Sequence, residues 1–261
     1  MDKTQLLEKE AIDAAINSQW EQAIKLNEKI VAKDKKNADA YLRLGFAYLQ
    51  KSKIKKAKNY YRKAQKLQPG NYSITENLER IKILEAKKIS RLSPTQLNPY
   101  VFIDVPGKTK TVTLVNCGQK SVLAKLNVGQ DVFLVPKRRR IEVRSKEKEY
   151  IGCLPDDISK RLIIFIKAGS DFRCFVKETT LKVTSVFLKE EKKGKKVARY
   201  ASFPINFQSG LANIHLSDEE SKENEVEEIS DNDLEKLAET LSEEKEYLGY
   251  EPEDKDDDPE E

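Results

Sequence analysis

Histidine, tryptophan and methionine each occur once in 261 residues, and there are three cysteines, Cys117, Cys153 and Cys174. With no CxxC pair and only His215 beside them, a structural zinc site is not expected, and an odd, widely spaced set of thiols gives no disulfide framework. Buried thiols in a reducing, cytoplasmic setting are the reading that follows. Long apolar runs are missing as well. No window approaches 18 uncharged apolar residues, and MDKTQLLEKEAIDAA has no apolar signal core, so neither a membrane span nor a leader is expected. The phosphate, nucleophile and metal motifs GxGxxG, GxxxxGK[ST], GxSxG and HExxH are all missing. His215 sits beside an acidic tail, where nothing holds it against a nucleophile or carboxylate. Paired Asp156 and Asp157 suit a helix start, where they complement the positive end of the dipole. The expectation is a protein with no catalytic residues, no cofactor and no metal.

What is abundant is charge, 35% of all residues, and it is unevenly spread. Residues 216–261 hold 22 Asp/Glu against 4 Lys/Arg, whereas residues 1–215 hold 44 basic against 22 acidic side chains. A basic body therefore carries an acidic tail. From 209 onward the composition predicts disorder, with one amphipathic stretch near 230–248. There Ser230 or Asp231 can cap a helix whose Leu234, Leu237, Leu241 and Leu248 form a stripe beside Tyr247 and Tyr250. Such an element folds on binding, with a partner in this chain or in another molecule.

Residues 4 to about 90 read as successive helices, with apolar residues at three- and four-residue steps. The 34-residue stretch 38–71 carries Tyr41, Leu44, Gly45, Tyr48, Ala57, Tyr61, Ala64 and Pro69. Small Gly45 and Ala57 allow two helices to approach, the aromatics fill the space between them, and Pro69 ends the second. This pattern closely resembles a tetratricopeptide repeat (TPR). A weaker copy at 4–37 keeps Leu7, Ala11, Ala14, Trp20, Ala23 and Ile30, while Asn27 and Lys35 replace the usual aromatic and proline. Residues 72–92 supply one further amphipathic helix as a cap. Two repeats and a cap fall short of the roughly three repeats a free-standing stack needs, so the helices are expected to pack on a neighbouring domain or on a second copy of the chain.

The resemblance implies a concave groove for a protein or peptide, lined by the first helix of each repeat, with Asp39, Arg43, Phe46 and Gln50 as candidate contacts. Repeats that clamp a terminal carboxylate place asparagine where Phe46 stands, so an apolar or helical ligand is the expected occupant.

After a proline-bearing linker at 93–98 the texture changes. Residues 99–208 contain short β-branched and aromatic runs, among them YVFIDV, KTVTLVN, VLAKLNV, DVFLV, RIEVRS and YASFPINF, at intervals of about 8–12 residues. They predict a small, mostly antiparallel β-barrel. PDDISKRLIIFIKAGS interrupts them with one helix from Asp156 to about Ala168. The predicted class is thus α+β and multidomain, with TPR-like helical hairpins over 1–92, the barrel, then the tail. Residues 128–178 resemble the HIRAN domain, an OB-like barrel, through Gly129, the strands 129–135 and 141–144, Ile151-Gly152 with Leu154-Pro155, the following helix and Gly169. The resemblance implies a place among DNA-processing proteins, some of which capture single-stranded ends. Where that family has an acidic turn before its second strand, this chain has Pro136-Lys137-Arg138-Arg139-Arg140.

Residues 98–215 hold 23 Lys/Arg against 11 Asp/Glu. Lys137, Arg138, Arg139, Arg140, Arg144 and Lys146 form one candidate contact set for DNA or RNA, and Lys192, Lys193, Lys195 and Lys196 form another. Both main clusters are expected in hairpin turns, where one positive rim would attract phosphate through counterion release. Tyr150 and Tyr200 are candidates for base stacking. Three readings stay open: nucleic-acid contact, solvated turns, and docking of the acidic tail. At the level of the whole chain, the expected function is a non-catalytic adaptor joining a protein to nucleic acid. The alternative is a scaffold that binds only proteins.

Overall fold

The computed structural model describes residues 3–89 and 98–204. Most of the linker, His215, and the tail with its amphipathic stretch near 230–248 lie outside the described residues.

The first part is five helices: α1 (Lys3–Ile16), α2 (Trp20–Lys33), α3 (Ala38–Gln50), α4 (Ile54–Leu67) and α5 (Tyr72–Ala86). Their ends repeat. Asn37 and Asn71, 34 positions apart, cap α3 and α5 by accepting from the Ala40 and Ile74 amides at 2.8 and 3.4 Å. Ser18, Ser52 and Lys88 adopt left-handed φ values of 56°, 57° and 53° after α1, α3 and α5. In each case the next amide turns back into the helix: Gln19 to Ala14, Lys53 to Tyr48 and Ile89 to Leu84, at 2.8–2.9 Å. α5, the expected cap, thus ends as α1 and α3 do. Inside the stack, a Cβ on Gly45 would lie 2.9 Å from the Tyr61 ring, closer than real contacts allow, so glycine sets the α3–α4 approach.

The second part is a curled six-stranded antiparallel sheet. Its strands are β1 (Thr109–Thr113), β2 (Asp131–Pro136), β3 (Ile141–Arg144), β4 (Tyr150–Cys153), β5 (Asp171–Thr179) and β6 (Thr184–Lys192), in the order β1-β6-β5-β2-β3-β4. Just beyond β1, Val115 and Cys153 exchange two 2.8 Å backbone hydrogen bonds, so the two edge strands meet. This closure gives small-barrel character and protects edges that would otherwise recruit other strands. The core holds Val132, Ile141, Val143, Ile151, Val176, Val186 and Leu188 from the strands. Ile158, Leu162 and Phe165 enter it from α7 (Asp156–Lys167), the embedded helix.

Two stretches read as strands are not, and the described residues of YASFPINF hold only an isolated bridge from Phe203 to Gly107. VLAKLNV begins inside a short helix, α6 (Lys120–Leu123), and Leu123 and Leu126 are buried at a three-residue spacing that a helical turn satisfies and a strand does not. Within YVFIDV the chain forms a 3-10 turn over Pro99–Phe102, opened by the Asn98 side chain accepting from the Tyr100 amide.

The two parts share a seam. Arg80 of α5 donates to the carbonyls of Ala124 and Leu126 at 2.8 and 2.6 Å and to Asn127 Oδ1 at 3.1 Å. Glu76 Oε1 accepts from the Leu181 amide in the β5–β6 turn at 3.2 Å. Ala124 and Leu181 are buried in the same apolar cluster as Leu44, Tyr61, Ile81 and Leu84. The barrel therefore supplies the cover that so short a stack needs.

Candidate binding surfaces

Strand register decides where the cations lie. β2 and β3 pair as far as Pro136 and Ile141, and the Lys137 amide donates to the Arg140 carbonyl at 2.8 Å, so Lys137–Arg140 form the tip of a tight hairpin. β2 runs antiparallel to β5 (Asp131 opposite Phe175), and β5 opens with Asp171 opposite Lys192. The Lys137–Arg140 turn and the Lys192–Lys196 segment therefore stand at the same end of the sheet. The second cluster is not a hairpin turn: β6 ends at Lys192, and Lys195–Val197 forms a short 3-10 helix. Lys146 follows β3 and lies in the β3–β4 turn at the opposite end, so the expected single rim does not include it.

The candidate cations also differ in freedom. Arg144 donates to Glu142 at 2.8 and 3.0 Å, and Arg140 lies 3.4 Å from the other oxygen of that carboxylate. Glu142 is almost fully buried, so these two arginines neutralise it. Lys193 donates to the Tyr200 carbonyl at 2.7 Å and sits 3.3 Å from Glu190, so its role is structural. Lys137, Arg138, Arg139, Lys192 and Lys195 are exposed at the common end, while Lys196 has interactions of its own.

Neither stacking candidate is free. The Tyr150 hydroxyl donates to the Asn116 carbonyl at 2.8 Å and lies 3.2 Å from Cys153 Sγ. Burial, and then its contact with Cys153, pushes the Tyr150 phenol up to about 12. Tyr200 packs partly buried against the core. On the strands an exposed aromatic is instead Phe133, which sequence reasoning missed although alternation in β2 gives it away: Val132 points in and Phe133 points out. Beyond the Val132–Cys174 pair β2 and β5 separate, leaving a cleft of about 350 Å³ lined by Phe133, Leu134, Pro136, Ile166, Phe172 and Arg173. Pro136, with no amide hydrogen, suits a strand that has lost a neighbour.

On the helical part, Asp39 is exposed and Gln50 half-buried. Arg43 is committed to the fold: its Nε donates to Asn27 Oδ1 at 2.9 Å, and Nη2 lies 3.4 Å from Glu8. Phe46 is 36% exposed and meets Trp20 edge-to-face at 5.8 Å. Ile12, 34 residues before it, is exposed, as is Ile16. Arg80 stands 34 residues after Phe46 and holds the barrel. One surface row thus presents Ile12 and Phe46 and then closes on the barrel at Arg80.

The tetratricopeptide repeat family matches residues 38–71, the stretch that forms α3, α4 and the turn after them. Those residues are a TPR. No curated protein matches the chain. Before them α1 and α2 form a similar helical hairpin with weaker signature residues, and Ile12, Ile16 and Phe46 are exposed. Among the described residues no group of His, Cys, Asp and Glu could hold a metal ion, and no helix is long and apolar enough to cross a membrane.

Proposed function

We propose that the chain is a non-catalytic adaptor whose TPR row binds a protein and whose barrel contacts nucleic acid through its basic end. The TPR supports protein binding as the general role. The observation that carries the nucleic-acid reading is the convergence of Lys137, Arg138 and Arg139 with Lys192 and Lys195 at one end of the sheet, beside a cleft that exposes Phe133. Backbone phosphates suit such a set because each neutralised phosphate releases counterions, and an exposed ring adds sequence-tolerant stacking. The order over 128–178, three strands, a helix and a further strand, is compatible with a HIRAN-like or other OB-like barrel. The acidic tail, with its 22 carboxylates, competes for the same cations in cis.

An electrophoretic shift of the full chain with single- and double-stranded oligonucleotides tests this. The expected result is retardation at about 100 mM salt, lost across all sequences in the triple variant Lys137→Ser, Arg138→Ser, Arg139→Ser, with a salt slope shallower by about 2 on single strands. No retardation of any probe at that salt would leave the protein-only scaffold as the function. On that alternative, the TPR row Ile12–Phe46 is the working surface.

A further inference from the structure

A second cavity lies away from both surfaces just described. Between the start of α4 and the end of α5 a shallow pocket of about 440 Å³ is lined by Ser52, Lys53, Ile54, Lys55, Lys56, Glu85, Lys88 and Ile89. Its floor is apolar, with buried Ile54 at the first position of α4 and half-buried Ile89 just after α5. Its rim is cationic: Lys53, Lys55, Lys56 and Lys88 are all exposed. Little offsets them. Glu85 is held by Lys58, and the first turn of α4 contains no acidic residue. Lys56 Nζ lies over the Tyr48 ring at 5.4 Å, so its charge is partly engaged there and Lys53, Lys55 and Lys88 supply most of the rim.

An apolar floor inside a ring of lysines selects a ligand with apolar side chains on one face and carboxylates around them. This chain contains such a segment. Residues 231–248 carry Leu234, Leu237 and Leu241 at helical spacing, flanked by Asp231, Asp233, Glu235, Glu239, Glu243, Glu244 and Glu246 against Lys236 and Lys245 alone. We propose that this segment docks into the α4–α5 pocket of its own chain, leucines on Ile54 and Ile89 and carboxylates on the lysine rim. The Ile12–Phe46 row does not compete for it, because Asp13 and Asp39 beside that row repel an acidic helix.

Reach permits the contact. The described chain ends at Pro204, and residues 205–230 span up to about 90 Å when extended, several times the length of a 15-residue helix such as α5, about 22 Å. Tethering also supplies an effective concentration on the order of millimolar, so a weak pocket suffices. The proposal stands apart from nucleic-acid binding.

Zero-length carbodiimide coupling on the full chain, mapped by mass spectrometry, tests it without nucleic acid. The expected couplings join Lys53, Lys55, Lys56 or Lys88 to acids within 231–246. They fall several-fold in the variant Leu234→Ser, Leu237→Ser, Leu241→Ser, which alters only the tail segment and keeps every charge. In a mixture of isotope-labelled and unlabelled chains, all such couplings carry a single label. Couplings spread over all exposed lysines and unchanged by the leucine variant would overturn the proposal, since charge alone would then explain them. Mixed-label couplings would also overturn it, by giving the pocket to a second copy of the chain.

Discussion

Arg80 donates to the Ala124 carbonyl at 2.8 Å, and through that contact and its partner at Leu126 helix α5 and the barrel are joined. Burial holds the Arg80 guanidinium below its ordinary pKa, with Tyr61 and Glu76 pulling the other way, so the charge is kept where it costs most and repays that cost in hydrogen bonds. Arg80→Ala leaves two carbonyls without their donor, and hydrogen bonds to a charged group are each worth about 1.5–3 kcal/mol. The expected loss is about 3 kcal/mol, read as a lower denaturation midpoint in urea. Limited proteolysis should also cut sooner between the helices and the sheet. A midpoint and cleavage pattern equal to those of the unaltered chain would show that the seam does not matter.

Glu142 gives a second test, because it separates structure from recognition among the barrel cations. Its carboxylate is buried on β3 and is met by Arg144 and Arg140. Removing one member of such a set leaves the others poorly paired, but both arginines keep partial access to water, so the loss is smaller than for a fully buried pair. Glu142→Ala is expected to cost about 2 kcal/mol in thermal or urea unfolding. Retardation of oligonucleotides should persist in this variant, since Lys137, Arg138 and Arg139 are untouched and the net charge rises. Loss of retardation without loss of stability would move the binding role to Glu142 and its arginines.

Much of the fold was legible from the sequence because it rests on local spacing. Gly45 and Tyr61 meet as the TPR pattern requires, and Asp156–Lys167 is helical as its acidic start and trailing glycine indicate. What was illegible depended on distant partners. Val122, Leu123 and Leu126 read as part of a strand because apolar content alone does not distinguish a short helix from a strand, and the interior they fill is built by strands from elsewhere in the chain. The candidate site behaved likewise. That Lys137–Arg140 form a turn could be read locally, but that Glu142 claims Arg140 and Arg144 follows from one buried carboxylate two residues from each. The 34-residue step from Phe46 to Arg80 was present in the sequence but went unread, because what Arg80 binds is set by the Ala124–Asn127 turn far along the chain.

Alkaline pH should reveal late-titrating tyrosines, with Tyr48 and Tyr150 among them and Tyr60 and Tyr61 also raised by burial. Burial, then the hydrogen bond to Glu28, pushes the Tyr48 phenol up to about 12, and burial does the same for Tyr150 at the sheet closure. Both are neutral when protonated, and folding favours that neutral form. The stability they contribute is therefore complete below the unfolded value near 10 and is lost as pH rises from about 10 to 12. Absorbance at the tyrosinate band should show a late step, above the ordinary phenol value near 10, that coincides with loss of helical ellipticity. Tyr48→Phe should reduce that step. A single titration centred near 10, with structure intact, would contradict it.

The tail makes the last prediction, and it turns on charge rather than shape. Residues 216–261 carry a net charge of −18, and residues 1–215 carry +22. If those carboxylates cover Lys137, Arg138 and Arg139, a nucleic acid must displace them, and the counterions it would otherwise release are already partly gone. Deleting 216–261 should then raise affinity for oligonucleotides and steepen the fall of affinity with salt, because more phosphate contacts are made against bare cations. The leucine variant that empties the α4–α5 pocket keeps every carboxylate and frees that segment, so it should not raise affinity as the deletion does. Equal affinity and equal salt slope with and without the tail would rule out competition and leave the acidic segment to its docking role alone.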